Sequence, residues 1–265
     1  MVMPDSLRTL LFVPANRPER FAKAAAVGPD AVILDLEDAV AGEDKDAARA
    51  LLTRDFTDLP VIVRINPVGT EWHEADVRAA AALRPSAVIL PKSEEPAQIA
   101  GVAACLAEVA LFCLVETARG IAAARDIAAL TCVQRLIFGS VDYCADIGMA
   151  HNRDLLLPAR SELVLAARLA GIAAPIDGVT TRLDDPEELA GDAHHARALG
   201  MAGKLCIHPR QVPVVKAAFA PDAGEIAWAT RVLASGGGAA SVGGEMVDAP
   251  VRARARAILA AAQLP

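Results

Sequence analysis

The chain reads as an α/β protein, a (β/α)8 barrel, on three observations. Eight short apolar, β-branched runs recur along 265 residues, each pair is separated by a stretch of helical spacing, and polar residues gather where the runs end. The runs start at 8, 31, 61, 87, 110, 135, 175 and 203, so they advance by 23 to 40 residues, which suits strand-helix units and not hairpins. A doubly wound open sheet is the alternative. Against it, Val13-Pro14-Ala15-Asn16-Arg17-Pro18 follows the first run where a dinucleotide-binding fold would carry GxGxxG.

In order, the strands are 8–14 (RTLLFVP), 31–38 (AVILDLED), 61–66 (VIVRIN), 87–92 (AVILPK), 110–117 (ALFCLVET), 135–140 (RLIFGS), 175–181 (PIDGVTT) and 203–209 (GKLCIHP). Ala-, Arg- and Glu-rich helical stretches lie between them at 18–27, 71–83, 94–107, 120–130, 158–170 and 186–199. The barrel is assigned to 1–220. Residues 221–265 form an extension: a helix at 222–234, the hinge Ser235-Gly236-Gly237-Gly238, a hairpin-like piece turning at Gly243-Gly244, and an amphipathic lid helix at 250–262. A hinge of this kind suits an arm that covers a site or packs on a neighbouring subunit.

Composition narrows the function. With 54% hydrophobic residues the chain buries a large core, which excludes intrinsic disorder. A net charge of −7 argues against binding a nucleic-acid backbone. Cys105, Cys113, Cys132, Cys144 and Cys206 form no CxxC and sit mostly in apolar runs, as reduced, buried thiols do. No stretch reaches the roughly 20 apolar residues of a membrane span, and no apolar segment follows a basic leader, so a cytoplasmic location is expected.

The strand ends carry Asp35, Glu37 and Asp38, then Arg64 and Asn66, Lys92, Glu116, Asp142 and His208. Glu116 and Asp142 each follow a wholly apolar run, which places them in the barrel mouth. Two such carboxylates without His or Cys are hard oxygen donors of the kind Mg²⁺ accepts; a general acid/base pair is the competing assignment. Arg64 lies in an otherwise apolar strand and needs an anion: a substrate carboxylate, a developing oxyanion, or structurally Glu116 or Asp38. Lys92 stands where a Schiff-base aldolase would hold its lysine, yet Ser93-Glu94-Glu95 behind it suggests a salt bridge. His151, His194 and His195 read as solvated.

These segments resemble a known family. Residues 8–18 (RTLLFVPANRP), 34–40 (LDLEDAV), 64–66 (RIN), 90–92 (LPK), 116–120 (ETARG), 138–143 (FGSVDY), 206–209 (CIHP) and 244–250 (GEMVDAP) together are similar to the citrate lyase beta-subunit-like (CitE-like) group of the HpcH/HpaI aldolase superfamily. The resemblance implies a Mg²⁺-dependent carbon-carbon lyase, with Mn²⁺ accepting the same donors, that splits or forms a citryl-, malyl- or citramalyl-type thioester from an acyl-CoA and a 2-oxo acid. It further implies Glu116 and Asp142 as metal ligands and Arg64 as the group holding the thioester oxygen or substrate carboxylate. Arg17 and Lys23 fall where the phosphates of coenzyme A would lie. Asp248 corresponds to a lid aspartate, the proton carrier, contributed by an adjacent subunit of a homo-oligomer, a trimer. An acyl-carrier protein is an alternative thioester carrier. An HpcH-like aldolase on free 2-oxo acids and a non-catalytic ligand-binding homologue are the two other functions weighed.

Overall fold

A computed structural model describes residues 7–235, 240–242 and 245–262. The chain divides after Lys216 into two compact units. The first is a closed barrel of eight parallel strands in sequential order: β1 (Thr9–Pro14), β2 (Ala31–Asp35), β3 (Val61–Arg64), β4 (Ala87–Leu90), β5 (Ala110–Val115), β6 (Val133–Phe138), β7 (Ala173–Asp177) and β8 (Gly203–Cys206). Closure is made by β1 against β8, with Leu10 opposite Leu205.

The strand runs owe their conformation to burial on both faces, one toward the barrel axis and one toward the helices. Along the axis, Leu10, Ile33, Ile62, Ile89, Phe112, Ile137, Ile176 and Leu205, one from each strand, form a single packed cluster. Side chains alternate across a strand. Two residues beyond the cluster members Ile33, Ile62, Leu114 and Ile137, the same inward parity therefore arrives at Asp35, Arg64, Glu116 and Gly139. At the opposite end Arg135 closes the base, its Nε donating to Ala174 O at 2.8 Å and its Nη1 to Leu7 O at 3.1 Å.

Between the strands run α1 (Phe21–Ala26), α2 (Lys45–Ala50), α3 (His73–Leu83), α4 (Pro96–Leu106), α5 (Ala118–Ala122), α6 (Ala124–Ala128), α7 (Ser140–Ile147), α8 (Leu157–Ala170) and α9 (Pro186–Leu199), and α10 (Gln211–Phe219) follows β8. The sequence expectation of one helix at 120–130 becomes two short ones. The first is started by Thr117, whose side-chain oxygen accepts from Gly120 N. Three helices, α2, α7 and α10, are additional to those read from the sequence; they span six to nine residues, too few for a periodic signal to stand out. Strands β6 and β7 begin two residues earlier than read, because Gln134, Arg135 and Pro175 interrupt their apolar pattern.

The second unit contains α11 (Ala223–Ala234), the two-stranded antiparallel pair β9 (Ala240–Val242) and β10 (Glu245–Val247), and α12 (Ala249–Ala262). Asp222 and Glu225 form a reciprocal capping box at the start of α11. Ala229, Val232, Val247, Ala255 and Ile258 supply its apolar core. Arg252 Nη1 ties α12 to α11 by donating to Val232 O at 2.9 Å. The glycines of the expected hinge and those of the hairpin turn lie outside the described residues. Among the described residues no helix is long and apolar enough to cross a membrane.

Candidate active site at the carboxyl end of the barrel

The inward side chains at the strand ends enclose a cavity of about 390 Å³, lined by Phe12, Asp35, Asp38, Arg64, Glu116, Ser140 and Asp142 among others. Its position at the carboxyl ends of the strands, and its size, are those of a small-molecule site.

Arg64 is gripped by carboxylates. Nε and Nη2 each approach an oxygen of Asp35 at 2.7 Å, a bidentate pair, while Nη1 lies 2.7 Å from Glu37 Oε2 and 3.4 Å from Asp38 Oδ2. The guanidinium also stacks over the Phe12 ring, 4.7 Å from its centroid. Of the structural partners weighed in the sequence, Asp38 is present at the longer distance and Glu116 is replaced by Asp35 and Glu37. The reason is register: Asp35 and Arg64 are directly paired on β2 and β3 and share the inward face.

The loop carrying these acids is held from outside. Lys45, buried on α2, donates to Leu36 O at 2.8 Å and Glu37 O at 3.0 Å, and Asn66 Nδ2 donates to Leu36 O at 2.9 Å. Asp76, wholly buried on α3, fixes Asn66 through its main-chain and side-chain nitrogens. Asn66 therefore supports the site from behind the cavity.

Glu116 is 2% exposed. Its Oε1 accepts from Lys92 N at 2.8 Å, with Lys92 in the left-handed region at φ 47°. The exposed Lys92 thus serves the site through its main chain and not through the salt bridge its sequence context suggests. Burial, then the nearby Glu37 and Asp142, push the Glu116 carboxyl up to about 8 against the pull of the Lys92 N–H and Arg64. Burial raises Glu37 to about 7 despite Arg64. On the facing strand end, Gly139 lies so close to Glu116 that an added Cβ would overlap its side chain. Asp142, half-buried in the first turn of α7, completes the acidic wall.

This donor set fits a divalent cation. Glu37 and Asp142 each repel the Glu116 carboxylate, and a cation relieves that repulsion. Among the described residues no group of three or more His, Cys, Asp or Glu converges as a complete ligand cage. A cation here would take Glu116 and Asp142 and fill its other positions with water and substrate oxygens, as Mg²⁺ does.

A sequence model of the HpcH/HpaI aldolase/citrate lyase family matches residues 8–209. The chain belongs to this family. Among its relatives, a citrate lyase subunit beta-like protein of Mycobacterium tuberculosis is 42% identical over 260 residues, covering 94% of this chain and 93% of its own. A (3S)-malyl-CoA thioesterase of Cereibacter sphaeroides is 35% identical, with 97% and 94% covered. The crystal structure of M. tuberculosis CitE in complex with magnesium, acetoacetate and coenzyme A superposes with a TM-score of 0.87 at 41% identity, covering 97% of this chain and 98% of that one. HpcH/HpaI membership and the closed barrel agree with the sequence expectation.

Of the remaining sequence candidates, Arg17 and Lys23 are not among the residues that line the cavity. Arg17 is exposed and its Nε pairs with Glu19 at 2.8 Å; Lys23 is exposed on α1. Asp248 belongs to the second unit, half-buried at the start of α12, where Oδ1 accepts from Val251 N at 3.2 Å. Among the histidines, His208 Nδ1 accepts from Arg210 N at 3.2 Å. His151, read as solvated, has its Nε2 2.9 Å from Ser140 Oγ. Asp35, Glu37 and Ser140 are site residues to which sequence reasoning gave no role. The inward parity of β2 was the available signal for Asp35.

Proposed function

We propose that the protein is a metal-dependent carbon-carbon lyase that cleaves or forms a 3-hydroxyacyl thioester of citryl-, malyl- or citramalyl-CoA type, with an acyl-CoA and a 2-oxo acid as the other pair. The observation carrying this reading is the convergence of Glu116, Asp142 and Arg64 on one cavity at the barrel mouth. The magnesium and coenzyme A bound by the CitE relative support it.

Glu116 and Asp142 would hold Mg²⁺. When bound, the cation supplies Lewis-acid polarisation of the 2-oxo acid's oxygens. Asp35 fixes the plane of Arg64, so its positive charge stands ready where the thioester oxygen gains charge in the enolate. Phe12 and Val179 in the cavity wall exclude water from that reactive species. Asp248 exchanges the proton at the acyl carbon, delivered from a neighbouring subunit of a homo-oligomer. Arg17 releases Glu19 to bind a coenzyme A phosphate, and Lys23 adds a second cation.

Thermal-shift and calorimetric titration tests this, using acetyl-CoA and propionyl-CoA with and without Mg²⁺, and with oxaloacetate, glyoxylate or pyruvate, followed by assay of carbon-carbon cleavage. Mg²⁺-dependent stabilisation by one acyl-CoA together with one 2-oxo acid is expected. Glu116→Ala and Asp142→Ala abolish metal-dependent cleavage. Stabilisation by a 2-oxo acid and Mg²⁺ without any acyl-CoA would replace the proposal with a free-acid aldolase or a carrier-protein thioester.

A further inference from the structure

A hydrogen bond joins the cavity to a second one. Ser140, buried at the first position of α7, lines the 390 Å³ cavity beside Asp142. Its Oγ lies 2.9 Å from His151 Nε2. His151 is exposed and lines a separate polar cavity of about 310 Å³ together with Arg153, Arg160, Thr180 and Asp192. One buried hydroxyl and one exposed imidazole thus bridge the reaction chamber and a second, polar cavity.

The lyase reaction must move a proton off the substrate. In cleavage, the O–H bond of the substrate's 3-hydroxyl breaks as the carbonyl of the 2-oxo acid forms, and the carbon-carbon bond breaks with its electron pair passing into the thioester enolate. Asp248 is assigned to the acyl carbon, which leaves the hydroxyl proton without an acceptor. Glu37 Oε2 lies 2.7 Å from Arg64 Nη1, and Glu37 is not among the residues that line the cavity.

We infer that Ser140 and His151 form a proton relay that carries the substrate hydroxyl proton from the cavity to solvent. The proton passes to Ser140 Oγ as the serine's own proton passes to His151 Nε2, and His151 then releases one proton to water in the second cavity. Ser140 ends as it began. In the synthetic direction each transfer runs in reverse. The imidazole is chemically suited to this transfer. Burial, then Lys204 and Arg160, lower its proton affinity against the opposing Asp192 and Asp177, which favours the uncharged ring that can accept from a hydroxyl. A hydroxyl that donates to Nε2 keeps its own lone pairs for a substrate hydroxyl. His151 acts through Ser140 and is a positioning and relay residue; Ser140 is the group that meets substrate.

The inference rests on the lyase reading, and the experiment separates them. Full-length parent, His151→Gln, His151→Ala, Ser140→Ala and the double alanine variant are assayed with Mg²⁺ for 2-oxo acid release from citryl-, malyl- and citramalyl-CoA. A relay predicts that the His151 variants lose kcat by roughly a hundredfold with KM and thermal midpoint close to the parent's. It predicts that free imidazole restores part of the rate to His151→Ala and none to Ser140→Ala. The double variant falls no further than Ser140→Ala alone. A parent that cleaves all or one of these thioesters while His151→Gln and His151→Ala keep its kcat overturns the relay alone, as does a loss that imidazole leaves unrepaired. A parent that cleaves none of them overturns the lyase reading and the relay with it.

Discussion

Gly139 sets the position of Glu116 by having no side chain. Val115 and Phe138 are paired across β5 and β6, and Gly139 N donates to Val115 O at 3.0 Å, so the two strand ends close directly beneath the Glu116 carboxyl. A methyl group at 139 would overlap Glu116, and β5 and β6 cannot separate without opening the barrel. Gly139→Ala is therefore predicted to displace the carboxylate. The Mg²⁺ concentration for half-maximal activity should rise by roughly tenfold or more, with a stability loss of about 1–3 kcal/mol from overpacking. Metal titration of activity beside thermal denaturation checks both, and an unchanged metal requirement would count against Glu116 as a ligand. Arg64 teaches the complementary lesson about residues. Its need for an anion is visible in an apolar strand, yet the identity of that anion depends on the β2–β3 register, which a single strand's sequence does not contain.

Elements on the β7–β8 side are locked by a wholly buried charge cluster. Asp177 at the end of β7 accepts from Arg160 Nε of α8 at 2.7 Å and from Lys204 Nζ of β8 at 2.9 Å, and Lys204 also donates to Gly178 O at 2.7 Å. Burial favours the protonated acid, but Lys204 and Arg160 overcome it and hold Asp177 below the usual carboxylate range. A carboxyl depressed in the folded state contributes stability that is fully present above its unfolded value, about 4, and is lost as pH falls through the folded value. Asp177→Asn is predicted to cost about 3–5 kcal/mol near neutrality, because two cations are left buried without their partner. It should also flatten the decline of the denaturation midpoint below about pH 4 that the parent shows. Denaturation midpoints measured from neutral pH down into the acid range test this, and parallel curves would refute it. Elements were legible in proportion to their apolar repetition. All eight strands stand out because both faces are buried, and α9 matches its expected bounds because its ends are marked, by Asp185 capping the start ahead of Pro186 and by Gly200 closing it in the left-handed conformation. The six-residue α2 does not, although its Lys45 supports the whole acidic loop. The contribution of Lys92 is a main-chain N–H, which no side-chain pattern announces.

At the scale of the whole molecule, the barrel unit and the unit after Lys216 carry different parts of the proposed reaction. Glu116 lies in the first and Asp248 in the second. If Asp248 serves a neighbouring subunit, mixed oligomers of Asp248→Ala and Glu116→Ala chains regain part of the activity that each lacks alone. Refolding or co-expressing the two variants and assaying verified mixed oligomers decides it. No recovery would put Asp248 in its own subunit's site or outside the chemistry. The role proposed for Asp248 rests on the resemblance carried by residues 244–250, whereas the oligomeric arrangement that would deliver it is written in surfaces that local motifs do not describe.

The barrel has a sealed floor. Arg135 fastens the base through Leu7 and Ala174, and the axial side chains fill the interior above it, so the reaction chamber has no rear exit. In the proposed reaction a small oxo acid seated against the acidic wall would have to arrive before a bulky thioester that enters through the same mouth, and leave after it. Turnover would then be a queue of fixed order: the smaller partner first in and last out, with an excess of the larger one trapping it inside.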